Sequence, residues 1–155
     1  MNKTIVLKTL EQKKIPYTYY EYDNTLTEGI KIAEILNENV DHVYKTLVTT
    51  DNANHYYVFV IPVDKTLDLK KCAKILNIKK LDMLKQKDLE PLTGYVHGGC
   101  SPIGMKKKFP TYYNDTIKLI DTIYVSGGRV GLQINIKTND LIKITDGKID
   151  NLISE

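Results

Sequence analysis

VYKTLVTTDNANHYYVFVIP, Val43–Pro62, decides the fold class. Two runs rich in valine, tyrosine, threonine and phenylalanine flank Asp51–Asn54, a stretch of turn-forming residues, so the segment predicts a β-hairpin. The first strand carries Val43, Leu47 and Val48, the second Val58, Val60 and Ile61. Alternation places Val43, Lys45 and Leu47 on one face of the first strand and Thr46 on the other. Lys45 is the misfit. A lysine suits a buried strand face only where an anionic or carbonyl-rich group meets it. It also serves on edge strands, where its charge blocks aggregation. The pattern leaves both readings open.

Outward from the hairpin, strands and short helices alternate irregularly. Helices are predicted from Asn2 to Lys14, capped by Asn2 and stopped at Ile15–Tyr17; from Glu28 to Leu36, capped by Thr27; and from Asp68, with Leu69, Cys72, Ala73 and Leu76 in one stripe. Two more are predicted from Asp82 to Leu89 and over Thr138–Thr145, capped by Thr138 or Asn139. Further strands are predicted at Tyr17–Tyr22, Gly94–Gly98, Thr122–Gly128 and Gly131–Ile136, with a last short one in Gly147–Ser154. No regular strand–helix–strand unit recurs. The expected class is α+β, with a mixed, strongly curved sheet or open barrel flanked by short helices. The 155 residues, 42% hydrophobic, fit a single domain spanning 1–155.

Composition excludes more than it identifies. A net charge of +3 is too mild to mark a nucleic-acid binder by itself, although a local lysine cluster can still attract phosphate. The two cysteines, Cys72 and Cys100, have neither disulfide-framework nor metal-site spacing and fit the reducing cytosol. The N-terminus turns charged early, unlike a signal peptide, and no run is long enough to cross a membrane. A cytoplasmic protein is expected.

The familiar enzyme signatures are missing. There is no H-E-x-x-H, P-loop, dinucleotide fingerprint or G-x-S-x-G. His42, His55 and His97 stand apart without metal-ligand spacing, so no metal and no cofactor is expected. Cys72 falls on an apolar helix stripe and reads as core. Cys100 lies in the loop VHGGCSPIGMKKKFP, Val96–Pro110, three residues after His97, but a nucleophilic cysteine needs a base and a thiolate-stabilising setting. Gly98–Gly99 and Gly127–Gly128 are expected to end strands. Paired glycines there either make ordinary turns or let backbone amides approach a ligand. Lys106, Lys107 and Lys108 form either a solvated turn or a contact for a phosphate backbone.

Three blocks, VYKTLV at Val43–Val48, TGYVHGGCSPIGMKKKFPTYY at Thr93–Tyr113 and TIYVSGGRVGLQI at Thr122–Ile134, resemble the YbaK/EbsC family of aminoacyl-tRNA deacylases, relatives of the editing domain of bacterial prolyl-tRNA synthetase. The resemblance runs from LEQKKIPY through NDLIKI and favours the branch that clears cysteine from proline tRNA. It implies a YbaK-like editing domain acting in trans. The family lysine falls on Lys45, followed by Thr46. The family tyrosine falls on Tyr22, with Tyr20 as the alternative register. Gly98 and Gly99 match the carbonyl-binding loop, and Ser126 the serine of the SGG turn. Lys106, Lys107, Lys108 and Arg129 are the implied tRNA contacts. Two departures stand out. Family members often carry two basic residues after SGG, where this chain has Arg129 and then Val130. His97 occupies a position where apolar residues are common.

The resemblance also implies the chemistry. The thiol of a mischarged cysteine attacks its own ester carbonyl, forming a cyclic thiolactone and freeing the tRNA, so no protein nucleophile is required. Holding thiol and carbonyl together supplies much of the rate gain. Donors aimed at the developing oxyanion supply more, and the Gly98 and Gly99 amides are the candidates. Lys45 would hold the substrate at the terminal phosphate or near the carbonyl. Expected partners are the cysteine-bearing acceptor end of tRNA(Pro) and prolyl-tRNA synthetase, not DNA or a membrane. The alternatives are hydrolysis of Ala-tRNA(Pro), as in the sibling branch, or a non-enzymatic module that binds tRNA or a synthetase.

Overall fold

The computed structural model describes residues 2–155. The hairpin is present: β2 (Tyr44–Thr50) pairs antiparallel with β3 (Tyr56–Pro62), Lys45 opposite Ile61 and Thr46 opposite Val60. Asn52 and Asn54 take positive φ in the connecting loop, and the Asp51 carboxylate accepts the Ala53 amide at 2.7 Å, a turn built by side chains as much as by backbone.

The hairpin is the centre of a five-stranded mixed sheet ordered β4-β2-β3-β5-β8, where β4 is Asp82–Met83, β5 Thr111–Asn114 and β8 Lys148–Asp150. β5 runs parallel to both β3 and β8. A second sheet is antiparallel and ordered β1-β7-β6, from β1 (Tyr17–Glu21), β6 (Thr122–Ser126) and β7 (Leu132–Lys137). One bridge, Val43 to Tyr124, joins the two sheets. The expected curved, mixed sheet flanked by short helices is therefore realised as two sheets joined at one corner and not closed into a barrel. Their shared core holds Leu7, Leu10, Val60, Tyr113, Ile134 and Ile136, all essentially inaccessible to solvent. A second cluster, with Phe59, Ile61 and Cys72, fills the other face of the hairpin.

Among the described residues, five α-helices surround the sheets. α1 is Ile5–Gln12, and its cap is Thr4 rather than the expected Asn2. The Thr4 hydroxyl accepts the Leu7 amide and donates to the Gly127 carbonyl at 2.6 Å, so it caps the helix and anchors the SGG turn together. α2 is Gly29–Ile35, with Glu28, not Thr27, at the cap position. Gly29 lies against Val63, where a Cβ would fall 2.4 Å from Cγ1, so glycine sets how closely α2 packs on the hairpin's end. α3 (Leu69–Leu76) is capped by Asp68 as expected and closed by Asn77 in the left-handed conformation.

The helix expected over Asp82–Leu89 is displaced. Asp82–Met83 pairs with the end of β2, and α4 runs Gln86–Thr93 with Pro91 inside it. α5 is Thr138–Ile144, and neither Thr138 nor Asn139 caps it: the Thr138 hydroxyl donates to the Ile120 carbonyl instead. The strand expected at Gly94–Gly98 is absent. That segment is a loop ending in a turn, and β5, which begins after Pro110, takes the place beside β3. No described helix is long and apolar enough to cross a membrane.

Candidate functional site

The corner between the two sheets forms the candidate site. In an antiparallel pair, alternate residues exchange hydrogen bonds with the partner strand while those between turn theirs away. The Val63 amide donates to the Val43 carbonyl at 2.9 Å, which fixes the phase: Lys45 and Leu47 bond to β3, and Tyr44, Thr46 and Val48 turn their amides and carbonyls to the other edge. On that edge the Val48 carbonyl accepts the Leu84 amide at 3.0 Å, and Val43 bridges to β6. Thr46 falls between these attachments, with its backbone facing the gap.

The gap opens into a cleft of about 140 Å³ lined by Lys45, Thr46, His97, Gly98, Ser126 and Gln133 among others. α2 and the residues before it cover one side through Thr27, Gly29 and Ile32. Lys45 makes no hydrogen bond or ion pair among the described residues, and burial pulls its ammonium pKa down, with the carboxylate of Asp64 partly opposing. Among the described residues, three buried side-chain polar atoms lack a hydrogen-bond partner: Thr46 Oγ1, Gln133 Oε1 and the Tyr22 hydroxyl. An unsatisfied buried polar group costs about 1–3 kcal/mol, so Thr46 and Gln133, the two of these that line the cleft, leave it hydrogen-bonding capacity for a polar ligand. Tyr22 stands behind the lining, next to Gln133. Burial pushes its phenol up, and the Gln133 side chain opposes the rise.

The 96–99 segment is a tight turn. The Gly99 amide donates to the Val96 carbonyl at 3.0 Å, and Gly98, third in the turn, has φ +85°. The Gly99 amide is thus engaged within the turn, while no hydrogen bond from the Gly98 amide occurs among the described residues. Gly99 lies against the backbone of Arg129 and Val130, where a Cβ would fall 2.8 Å away, so the two glycine turns pack on each other. The Ser126 hydroxyl accepts the Gly128 amide at 3.1 Å and stays at the cleft wall.

The basic candidates lie elsewhere. Lys106 Nζ reaches the Pro91 carbonyl at 3.5 Å. Lys107 and Lys108 line a separate groove with Lys13, Phe109 and Ile144. Lys108 is ion-paired with Asp146, and Arg129 Nη2 with Glu21 at 3.0 Å. The structure therefore brings Lys45, Thr46, Gly98 and Ser126 to one cleft, with Tyr22 and Gly99 behind it, and keeps Lys106–Lys108 apart.

Cys100 lines the cleft but is buried, and burial pushes its thiol up to about 12, which keeps it protonated at neutral pH. Cys100→Ala is therefore expected to keep deacylation of a cysteinyl-tRNA within about threefold of wild type; a loss nearer the 10²–10⁴-fold of a removed catalytic group would make the protein thiol a participant.

Gln133 carries no site signal in the sequence, and Thr27 reads there only as a helix cap. Gln133 alternates with Leu132 and Ile134, so it reads as an ordinary solvent-facing strand residue; its true setting, 4% exposed under α2, comes only from tertiary packing.

Comparison with known proteins places the chain in a family. Residues 27–144 match the model of the aminoacyl-tRNA editing domain. The chain belongs to the aminoacyl-tRNA editing domain family. It is 41% identical to EbsC of Enterococcus faecalis, named as a candidate Cys-tRNA(Pro)/Cys-tRNA(Cys) deacylase, over 99% of this chain and 94% of that protein. The fold is shared with a crystal structure described as a candidate trans-editing enzyme for prolyl-tRNA synthetase (TM-score 0.86, 18% identity, all of both chains). It is shared also with a protein described as hypothetical (TM-score 0.90, 20% identity, 97% of this chain and all of that one). The matched region spans every cleft-lining residue named above, while Tyr22 falls just before it.

Proposed function

We propose that this protein is a trans-editing deacylase that clears cysteine mischarged onto tRNA(Pro), with prolyl-tRNA synthetase as the partner that presents the tRNA. The observation that carries the reading is the cleft itself: an unpaired Lys45, the outward-facing backbone of Thr46 and the Gly98 amide border a space with unsatisfied Thr46 and Gln133 side chains. Its volume of about 140 Å³ is well below the roughly 300–1,000 Å³ of pockets for drug-sized ligands, so it suits an aminoacyl group with the nucleotide outside.

The lining offers donors and positive charge but no activated protein nucleophile, since the Cys100 thiol is held protonated. The substrate's own sulfur fills that role. Its S–H proton leaves, the sulfur attacks the ester carbonyl carbon, negative charge collects on the carbonyl oxygen beside the Gly98 amide and Lys45, and the C–O bond to the tRNA 3′-oxygen breaks as that oxygen takes up a proton. The products are a four-membered thiolactone and free tRNA. Lys106, Lys107, Lys108 and Arg129 are proposed to meet tRNA phosphates, Lys108 and Arg129 exchanging a carboxylate partner for phosphate.

A side-by-side assay tests the reading. Release of cysteine from Cys-tRNA(Pro), with thiolactone trapped in the first turnover, is expected, and Ala-tRNA(Pro) should be cleaved at least about 10²-fold more slowly, because alanine has no thiol. Equal release of alanine would move the protein to the sibling, water-using activity. Binding of both tRNAs without turnover would make it a recognition module.

A further inference from the structure

We propose that His97 is the general base that takes the proton from the bound cysteinyl thiol and returns it to the leaving 3′-oxygen. The proposal rests on the deacylase reading above. A thiol has a reference pKa near 8.5, so at neutral pH most of the bound substrate carries the proton on sulfur, and the reaction needs somewhere to put it. The residues lining the cleft that carry a titratable group are Tyr44, Lys45, His97 and Cys100.

Three of these cannot accept the proton. The Tyr44 hydroxyl is tied to Thr116 Oγ1 at 2.7 Å, and burial raises its pKa. Cys100 is buried and protonated. Lys45 is a cation whose charge favours the thiolate and the oxyanion. Among the described residues, no carboxylate lines the cleft. α2 and the residues before it contribute Thr27, Gly29 and Ile32, α4 contributes Leu89, β6 Ser126 and β7 Gln133, none of which titrates. Asp64 acts on Lys45 from outside the lining.

His97 has the complementary properties. It occupies the second position of the Val96–Gly99 turn, next to the Gly98 amide assigned to the oxyanion, so one turn presents both groups to the carbonyl. Its side chain is exposed and makes no hydrogen bond among the described residues, leaving both ring nitrogens free. Imidazole is the side chain that exchanges protons near neutrality. The step balances without a co-reactant. The S–H proton passes to a ring nitrogen, sulfur bonds to the carbonyl carbon, the ester C–O bond breaks, and the imidazolium proton passes to the 3′-oxygen.

The test is the pH dependence of kcat/KM for Cys-tRNA(Pro) in wild type, His97→Val and His97→Gly. Wild type should show a limb on which the rate rises with pH and which depends on His97. His97→Val should lose about 10²-fold in kcat at pH 7 with KM nearly unchanged, and its rate should climb with pH through the thiol range instead. Added imidazole should restore part of the His97→Gly rate. His97→Val with an unchanged rate and profile overturns the role, and so does a slower variant that keeps the wild-type limb, since a merely structural contact would do that. Wild-type protein that releases no cysteine overturns the deacylase reading, and the role of His97 with it.

Discussion

Replacing Lys45 by alanine is expected to reduce deacylation of Cys-tRNA(Pro) by at least about 10²-fold while the protein stays folded. Removing one preorganised group aimed at developing charge costs that much in comparable sites, or about 2.7 kcal/mol. The fold should survive because Lys45 contributes no hydrogen bond or ion pair among the described residues. Its ammonium is instead a burden on stability. Burial lowers its pKa, so at neutral pH the folded state carries a partly desolvated cation that the unfolded chain keeps in water. The unfolded chain then holds the proton more tightly, and the penalty fades as pH rises through the folded pKa toward the unfolded lysine value. Lys45→Met keeps the aliphatic stem and removes the charge, so at pH 7 it should melt no lower than wild type and be as inactive as Lys45→Ala. Thermal melting of the three proteins at pH 7, beside single-turnover deacylation, decides the point. An active Lys45→Met would remove the lysine charge from the reaction.

The same lysine shows what the sequence makes visible. A charge inside the run Val43–Val48 is conspicuous because its neighbours are apolar, and the hairpin around it is legible because its turn is local. Thr46 and Gln133 are not conspicuous. Each sits where alternation expects a polar residue on a wet face, and only the packing of α2 and the two sheets around one cleft leaves Thr46 Oγ1 and Gln133 Oε1 buried and unsatisfied. β5 is hidden for a related reason: four residues behind Pro110 carry little local signal, and their pairing is parallel and distant in sequence. The helix caps fail where a side chain has tertiary work. Thr4 outcompetes Asn2 because its hydroxyl also holds the Gly127 carbonyl. The glycine-rich loop lies between these cases. Its composition marks it as conformationally special, but whether it ends a strand or forms a turn depends on Gly98 meeting Thr27 and Gly99 meeting Arg129, contacts no pattern encodes.

That packing makes Gly98→Ala the second informative substitution. At φ +85° an L-residue is strained by roughly 1–2 kcal/mol, and the new Cβ would lie 2.7 Å from Thr27 Cγ2 and 3.0 Å from its Cβ. The turn must move away from Thr27, carrying with it the Gly98 amide and His97. A displacement near 1 Å in a positioned donor can cost about 10²-fold in rate, so the activity loss should far exceed the loss of stability. Two companions separate the causes. Gly104→Ala carries the same kind of strain, at φ +77° and with Ile5 and the Tyr95 hydroxyl 3.0 Å from the new Cβ, but Gly104 does not line the cleft, so it should lower Tm and spare the rate. Thr27→Ala combined with Gly98→Ala removes the nearest clashing atom but not the positive φ, so it should recover part of the Tm and part of the rate. Equal losses of rate in Gly98→Ala and Gly104→Ala would mean that general loosening of the fold, not the position of one amide, governs the reaction.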